Sequence, residues 1–456
     1  MKNIVIFSCA LFFSIQSFNA QQISPQLFGQ NHWMDKSDEG NRPGYLHMLW
    51  PKVEESGIKT VRIGGNGYEH HFPDNEKLTA MIDSIYGVGA EPVLQVPSTY
   101  TNDQATKLVK FLNKNPKRRP VKFWSIGNEP LLRVRDNHEL MMKRLEEVYQ
   151  FLTRLAPVLK AADPSIKIFV YDGSGLPVGN TEKLNYEAYE ALCGGRLDIT
   201  GKDKSGRWMV DGINFHNYPN RLDYTRDHLI FTSTGMIRQA TKQLLALIEK
   251  ANNKHGRTGD AKLKWGLTEV NVNAGNPNRE VTGIGCPSFL GGQFIAEMYG
   301  IGMENGAFTV APWCISETDR VRTDFGYLGL PSEFYPRSSY YHTQMMALNM
   351  KGEFLETKSS NSYVKTIASQ SNDEICVMIL NRDQTHNFDF DLALNNTKES
   401  LKPLIINANI GLDKIISGTI PNQTTMMFVL SKSGEIIKQY TYSVNHNLKN
   451  LPPEVN

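Results

Sequence analysis

The chain has 456 residues but only five cysteines, Cys9, Cys193, Cys286, Cys314 and Cys376, at spacings that match no compact disulfide framework. A chain of this length buries a core that needs no such staples, so free thiols are expected. Charge of one sign is lacking too. The formal net charge is +2 and no block of five or more like charges occurs, which argues against nucleic acid or an anionic membrane surface as the main partner. There is no H-E-x-x-H, no close cysteine pair and no EF-hand loop. Gly64-Gly65-Asn66-Gly67 lacks the full G-x-G-x-x-G of a dinucleotide loop, and the adjacent His70 and His71 cannot share a helix face as metal ligands. No metal and no cofactor are expected. No stretch reaches eighteen consecutive apolar residues, so no membrane span is expected.

What the chain does contain begins with Met1-Lys2-Asn3, then IVIFSCALFFSI and QSFNAQQ. A charged start, a short apolar middle and a small-residue exit are the marks of a secretory signal peptide, here residues 1–20 with cleavage near Ala20. Cys9 lies too early in it to be a lipid-anchor cysteine. The expected protein is secreted or periplasmic.

From Leu27 to about Leu348, short apolar runs alternate with longer segments at helical spacing, the pattern of repeated strand-helix units and a parallel sheet. The strand candidates are LFGQN, KTVRIGG, EPVLQVP, KFWSIGNE, IKIFVYDG, VDGINFHNY, WGLTEVN and GAFTVAPW. Eight such units close a barrel. DNEKLTAMIDSIYGVG places Leu78, Met81, Ile82 and Ile85 on one helical face with Asp74 as its cap. The helix after the fourth strand carries Leu140, Met141, Leu145, Val148, Leu152 and Leu155, and Pro157 is expected to bend or end it. After about Met350 the pattern changes to period two, clearest in NFDFDLAL, which reads as antiparallel sheet with one face buried. The expected organisation is an α/β (β/α)8 TIM barrel over 21–350 and a smaller all-β sandwich over 351–456.

Two glutamates end strand candidates: Glu129 in VKFWSIGNEP and Glu269 in KLKWGLTEVNVN. Carboxylates so far apart in sequence converge only if their strands share a rim, and a parallel barrel provides one at the C-terminal ends of its strands. Glycosidic bond cleavage needs such a pair, one carboxyl to protonate the leaving oxygen and one to attack or to activate water. A third run, VDGINFHNYP, ends in His216 and Tyr218.

Strands ending in Asn128-Glu129-Pro130, His216-x-Tyr218 and Thr268-Glu269 together resemble the clan A glycoside hydrolases, retaining (β/α)8-barrel enzymes. In that clan the acid/base follows the fourth strand and the nucleophile the seventh, the places of Glu129 and Glu269 in the strand count. The resemblance implies that Asn128 hydrogen-bonds the sugar 2-hydroxyl, that Tyr218 hydrogen-bonds the nucleophile and that Arg62 keeps it ionised. It also implies that His216 lines the same subsite. Trp313, ending the eighth strand, matches the clan's aromatic floor for the sugar ring, and Trp33 and Tyr68 extend the platform in this reading.

The partner implied is a poly- or oligosaccharide. Arg133, Arg135, Arg279, Arg320 and Arg322 follow rim strands, and guanidinium forks suit the carboxylate or sulfate oxygens of an anionic glycan. The plainer reading makes them solvated loop charges balanced by Asp136, Glu280, Glu317 and Asp319. Other function classes considered are a carbohydrate-binding barrel without catalysis, which the intact Glu129, Glu269, Asn128 and Tyr218 oppose, and a polysaccharide lyase, which needs a base and a charge-neutralising group in place of paired glutamates.

Overall fold

The computed structural model describes residues 21–32, 46–134, 137–174, 183–219, 225–272, 280–317, 325–329, 335–395 and 402–456. The proposed signal peptide, Trp33 and four of the five rim arginines, Arg135, Arg279, Arg320 and Arg322, lie outside the described residues.

All eight strand candidates form strands: β1 (Gly29–His32), β2 (Thr60–Ile63), β3 (Glu91–Val96), β4 (Phe123–Ile126), β5 (Lys167–Ser174), β6 (Gly212–Asn217), β7 (Lys264–Val270) and β8 (Thr309–Val310). They lie in sequence order in one sheet, and each neighbouring pair is parallel. A parallel bridge between Phe28 and Val310, with hydrogen bonds from Val310 N to Leu27 O and from Asn31 N to Pro312 O, closes the last strand on the first. The result is a (β/α)8 barrel. Helices cover its outside and side chains fill its inside, which is why β2, β4 and β6 are buried throughout. Val93, Phe123, Phe169 and Phe308, all near strand starts, form a separate apolar plug in which Phe169 stacks on Phe308 at 4.3 Å between ring centroids. That plug seals the end away from the rim.

The α-helices around the barrel are α1 (Leu46–Glu55), α2 (Asn66–His70), α3 (Asn75–Gly87), α4 (Asn102–Asn113), α5 (His138–Ala162), α6 (Lys183–Leu192), α7 (Thr234–His255), α8 (Phe289–Glu304) and α9 (Ser338–Asn349). The Asp74 side chain caps α3 by accepting from Lys77 N at 2.9 Å, and Thr101 with Gln104 forms a capping box on α4. α5 continues through Pro157 to Ala162, so the proline does not end it, and Leu140 departs from expectation in being 51% exposed. The buried stripe is Met141, Leu145, Val148, Leu152 and Leu155, and Leu140, one residue before it, is turned about 100° away.

Beyond α9 come β9 (Glu353–Leu355), β10 (Thr357–Ser359), β11 (Val364–Gln370), β12 (Glu374–Asn381), β13 (Phe388–Ala393), β14 (Leu404–Ala408), β15 (Ile415–Ile420), β16 (Thr424–Ser431), β17 (Ile436–Ser443) and β18 (Glu454–Val455). They make a six-stranded sheet, β18-β17-β16-β12-β11-β9, and a four-stranded one, β10-β14-β13-β15. Phe390, Leu392, Leu404, Ile406 and Phe428 pack in the core between them. The expected all-antiparallel pairing fails at one place, because β13 and β14 run parallel. Alternation shows which face of a strand is buried, whereas the connection sets the direction of its partner.

The six-stranded sheet packs on the barrel through α8 and α9. Almost every α8 residue is buried, and Ile367, Met378, Leu380, Met427 and Tyr442 share one core with the barrel. Buried polar contacts fix the register of this layer: Arg382 pairs with Glu297 at 2.8 Å, Gln293 Nε2 donates to Asn381 O, and His342 Nε2 meets Thr425 Oγ1 at 2.8 Å. Gln21 and Ile23 join the same sheet, with Ile23 N donating to Gly352 O and Phe354 N to Gln21 O. Cys193, Cys286, Cys314 and Cys376 are buried thiols outside any disulfide, as expected. Among the described residues, no helix is long and apolar enough to cross a membrane.

Candidate active site

Every barrel strand sends a polar or aromatic side chain to one rim. In strand order these are Asn31, Arg62, Gln95, Asn128 with Glu129, Asp172, His216, Glu269 and Trp313, each at or just past a strand's C-terminal end. A barrel gathers catalytic groups at this end.

Arg62 is the hub. Its side chain is 1% exposed, and Nη1 donates to Glu269 Oε1 at 2.8 Å and to Asn31 Oδ1 at 2.9 Å. Nη2 donates to Asn128 Oδ1 at 2.7 Å and to Asp172 Oδ2 at 3.1 Å. A planar guanidinium suits this task because its donors diverge at fixed angles. Holding Asn128 by its carbonyl leaves that amide's Nδ2 as a donor, 3.4 Å from Asn66 Oδ1.

Glu129 and Glu269 meet around His216, which is fully buried. His216 Nδ1 lies 3.0 Å from Glu129 Oε1 and 3.5 Å from Glu269 Oε2, and Nε2 lies 3.9 Å from Asp172 Oδ1. Ligand-type atoms of Glu129, His216 and Glu269 all fall within 4.8 Å of one another. Such a trio has the donor atoms for a metal ion, but the Arg62 cation on Glu269 opposes a second positive charge there. Tyr218 OH donates to Glu269 Oε2 at 2.9 Å, and Tyr218 as a whole residue is 37% exposed although its hydroxyl end is desolvated.

The electrostatics are set by burial against pairing. Burial pushes the Glu269 carboxyl up; His216 and Arg62 pull it down, Glu129 adds to the rise, and the net direction is upward. The Arg62 guanidinium and His216 favour the Glu269 carboxylate, while burial opposes it. For Asp172, burial also pushes upward, but Arg62, His216 and hydrogen bonds from Asn214 and Thr268 outweigh it and hold the carboxyl below its usual range. Burial disfavours the His216 imidazolium, yet Glu269 and Glu129 more than compensate and raise its pKa. Burial and Glu269 together push the Tyr218 phenol far up, so Tyr218 is a donor at any working pH.

The backbone at Glu129 is unusual. Its φ is 39°, in the left-handed region that few residues other than glycine enter. Asp172 O holds it there by accepting from Glu129 N at 2.8 Å, so the same residue that neutralises Arg62 also sets the path of the acidic loop.

Trp313 forms one wall. A Cβ added to Gly65, whose φ is 103°, would lie 2.6 Å from the indole Cη2, so only glycine allows this approach. The Gly64-Gly65 turn thus faces an aromatic ring. Trp313 Nε1 donates to Glu317 Oε1 at 3.1 Å, Phe325 N donates to Glu317 Oε2 at 2.9 Å, and Asn271 Nδ2 donates to the carbonyls of Trp313 and Phe325. Phe325 packs edge-on against Tyr218 at 5.7 Å.

Glu129, Glu269, Asn128, Arg62, His216, Tyr218 and Trp313 are thus brought together. Tyr68 is not among them: it is 0% exposed, its hydroxyl bound to His32 Nδ1, because α2 turns the ring inward. Glu317 is not a solvated loop charge, being 3% exposed. Sequence reading missed Asp172, Gln95, Asn31 and Asn271. Asp172 alone left a signal, as the one acidic side chain in IKIFVYDG.

No protein-family model matches the sequence, and comparison with curated proteins finds no match. Solved structures do match. An α-L-arabinofuranosidase from Thermotoga maritima, in complex with arabinose, superposes with a TM-score of 0.61 at 14% identity, over 90% of this chain and 97% of that one. A family 51 α-L-arabinofuranosidase from Bifidobacterium longum gives 0.62 at 12%, over 92% and 96%. A Paenibacillus polymyxa xyloglucanase from glycoside hydrolase family 44 gives 0.57 at 13%, over 90% and 97%. At these identities the likeness is one of fold.

Proposed function

We propose that this chain is a retaining glycoside hydrolase acting on a poly- or oligosaccharide, with Glu129 as acid/base and Glu269 as nucleophile. The observation that carries the reading is that one oxygen of each carboxylate lies within 4.8 Å of the other beside His216, closer than the spacing that admits an attacking water. Direct attack requires carboxyl groups about 5–5.5 Å apart, whereas an inverting enzyme spaces them about 6.5–9.5 Å apart to admit water. Glu129 protonates the leaving oxygen while Glu269, aimed by Arg62 and Tyr218, attacks the anomeric carbon. Glu129, then a carboxylate, takes a proton from the water that hydrolyses the glycosyl-enzyme. Asn128 Nδ2 donates to the 2-hydroxyl, and Trp313 packs on the apolar face of the ring. The named activities of the fold neighbours, arabinofuranosidase and xyloglucanase, support a glycan substrate.

Glu269→Ala should abolish turnover in a folded protein, and azide should restore cleavage with an inverted glycosyl azide as product. Wild-type activity in that variant would remove Glu269 from the role.

Two finer proposals rest on sequence. Residues 1–20 direct export. The glycan is anionic, read by the rim arginines, of which Arg133 is exposed just past β4. Cleavage of acidic polymers should then slow as salt rises, because exposed charges are screened beyond about 10 Å at 0.1 M ionic strength. Salt-insensitive cleavage of neutral glycans alone would overturn the anionic assignment.

A further inference from the structure

Glu317 is a carboxylate that the proposed chemistry does not use, yet it is 3% exposed directly behind the sugar-facing wall. Its two oxygens serve two different walls of the site. Oε1 accepts the indole N–H of Trp313, and Oε2 accepts the backbone N–H of Phe325, whose ring packs against Tyr218, the donor to Glu269. Asn271 ties the same two residues from the other side through their carbonyls. Burying a carboxylate is costly unless its partners are fixed, so this position holds its donors in one geometry.

We propose that Glu317 is a positioning residue that tunes Trp313 for the transition state; the proposal rests on the glycosidase reading above and deepens it. An indole N–H bonded to an anion shifts electron density into the ring, making its face more negative. Such a face attracts weakly polarised C–H groups in bound sugar, and attracts them more once positive charge develops at the anomeric carbon. An interaction that grows toward the transition state raises kcat, whereas one equal in both states changes only KM. Glu317 also locks the indole plane and, through Phe325, the Tyr218 ring, so the sugar floor and the nucleophile's donor share one anchor.

The test compares wild type, Glu317→Gln and Trp313→Phe. In an NMR spectrum of the indole N–H groups, the signal missing from Trp313→Phe identifies Trp313. It should lie downfield in wild type and move upfield in Glu317→Gln, whose neutral amide is a weaker acceptor. With a cleaved glycoside, Glu317→Gln should lower kcat by about threefold with a smaller change in KM, a fraction of what a full, partly desolvated cation–π contact is worth. In the Trp313→Phe background the same substitution should cost much less. An unmoved indole signal, or a rise in KM at unchanged kcat, overturns the proposal. Should Glu317→Gln fail to fold, Glu317→Asp and the wild-type spectrum decide: a Trp313 signal at the position of a free indole overturns it. A wild type that hydrolyses no glycoside overturns the glycosidase reading instead, and the indole shift still decides the hydrogen bond.

Discussion

Glu129 sits at φ 39° between Asn128, bound to Arg62, and a backbone bond to Asp172 O, so its strain is imposed by its neighbours. A left-handed conformation costs an L-residue about 1–2 kcal/mol, least for Asn. Both Glu129→Asn and Glu129→Gln remove the carboxylate beside His216 and should abolish turnover, but the Asn variant should be about 1 kcal/mol the more stable because it enters this region more readily. Equilibrium unfolding with an activity assay checks this, and two variants of equal stability would show that the loop does not store the strain. The catalytic candidates were legible because strand-end motifs pair residues of specific chemistry with a countable strand. The roles of Asp172 and Glu317 were not, because each is a single acid whose partners, Arg62 and Trp313, are recognised only after the chain has folded; the lone acid in IKIFVYDG marked a position without a partner. Tyr68 misled for the converse reason: its place after β2 suggested the rim, and only the inward turn of α2 reveals that it is core.

At the scale of elements, α9 carries a histidine that should make stability depend on pH. His342 is buried, its Nδ1 within 2.8 Å of Ser338 O and its Nε2 within 2.8 Å of Thr425 Oγ1 on β16, and burial lowers its pKa to about 4. Unfolded, it titrates near 6.5. Below that value the unfolded chain binds a proton that the folded chain does not, so stability is complete above about pH 6.5 and is lost as pH falls toward 4. The loss amounts to about 3 kcal/mol, at about 1.4 kcal/mol per pKa unit. Urea titrations at a series of pH values should show a shallower slope for His342→Gln than for wild type; equal slopes would mean that the ring is not held neutral. The helices themselves were legible from periodicity and caps, as in α3 and α4. The persistence of α5 through Pro157 was not, because the packing of Leu155, Ala156 and Leu159 overrides a local preference.

For the whole molecule, the C-terminal sheets act as a second layer over α8 and α9. With the boundary proposed near 350, deletion after Lys351 should leave the apolar flank of α8 uncovered and Glu297 with Arg238, at 3.5 Å, in place of Arg382. Apolar surface exposed on that scale drives association, so insoluble protein is expected. A soluble, fully active truncation would show the sheets to be an independent appendage. The barrel was readable from eight apolar runs, and the sandwich from period two. The joining of Gln21–Ile23 to that sheet was not, since a two-residue pairing leaves no pattern.

That last contact is a latch between distant parts of the chain. Gln22 Nε2 meets Glu353 Oε1 at a separation of 331 residues. Closing so long a loop from an open chain costs about 5 kcal/mol of entropy. The three hydrogen bonds there, at about 1 kcal/mol each, cannot offset that alone. The latch therefore shuts only after the barrel has already brought both segments together, which makes protection of the Ile23 and Phe354 amides from hydrogen exchange a late clock for completed folding.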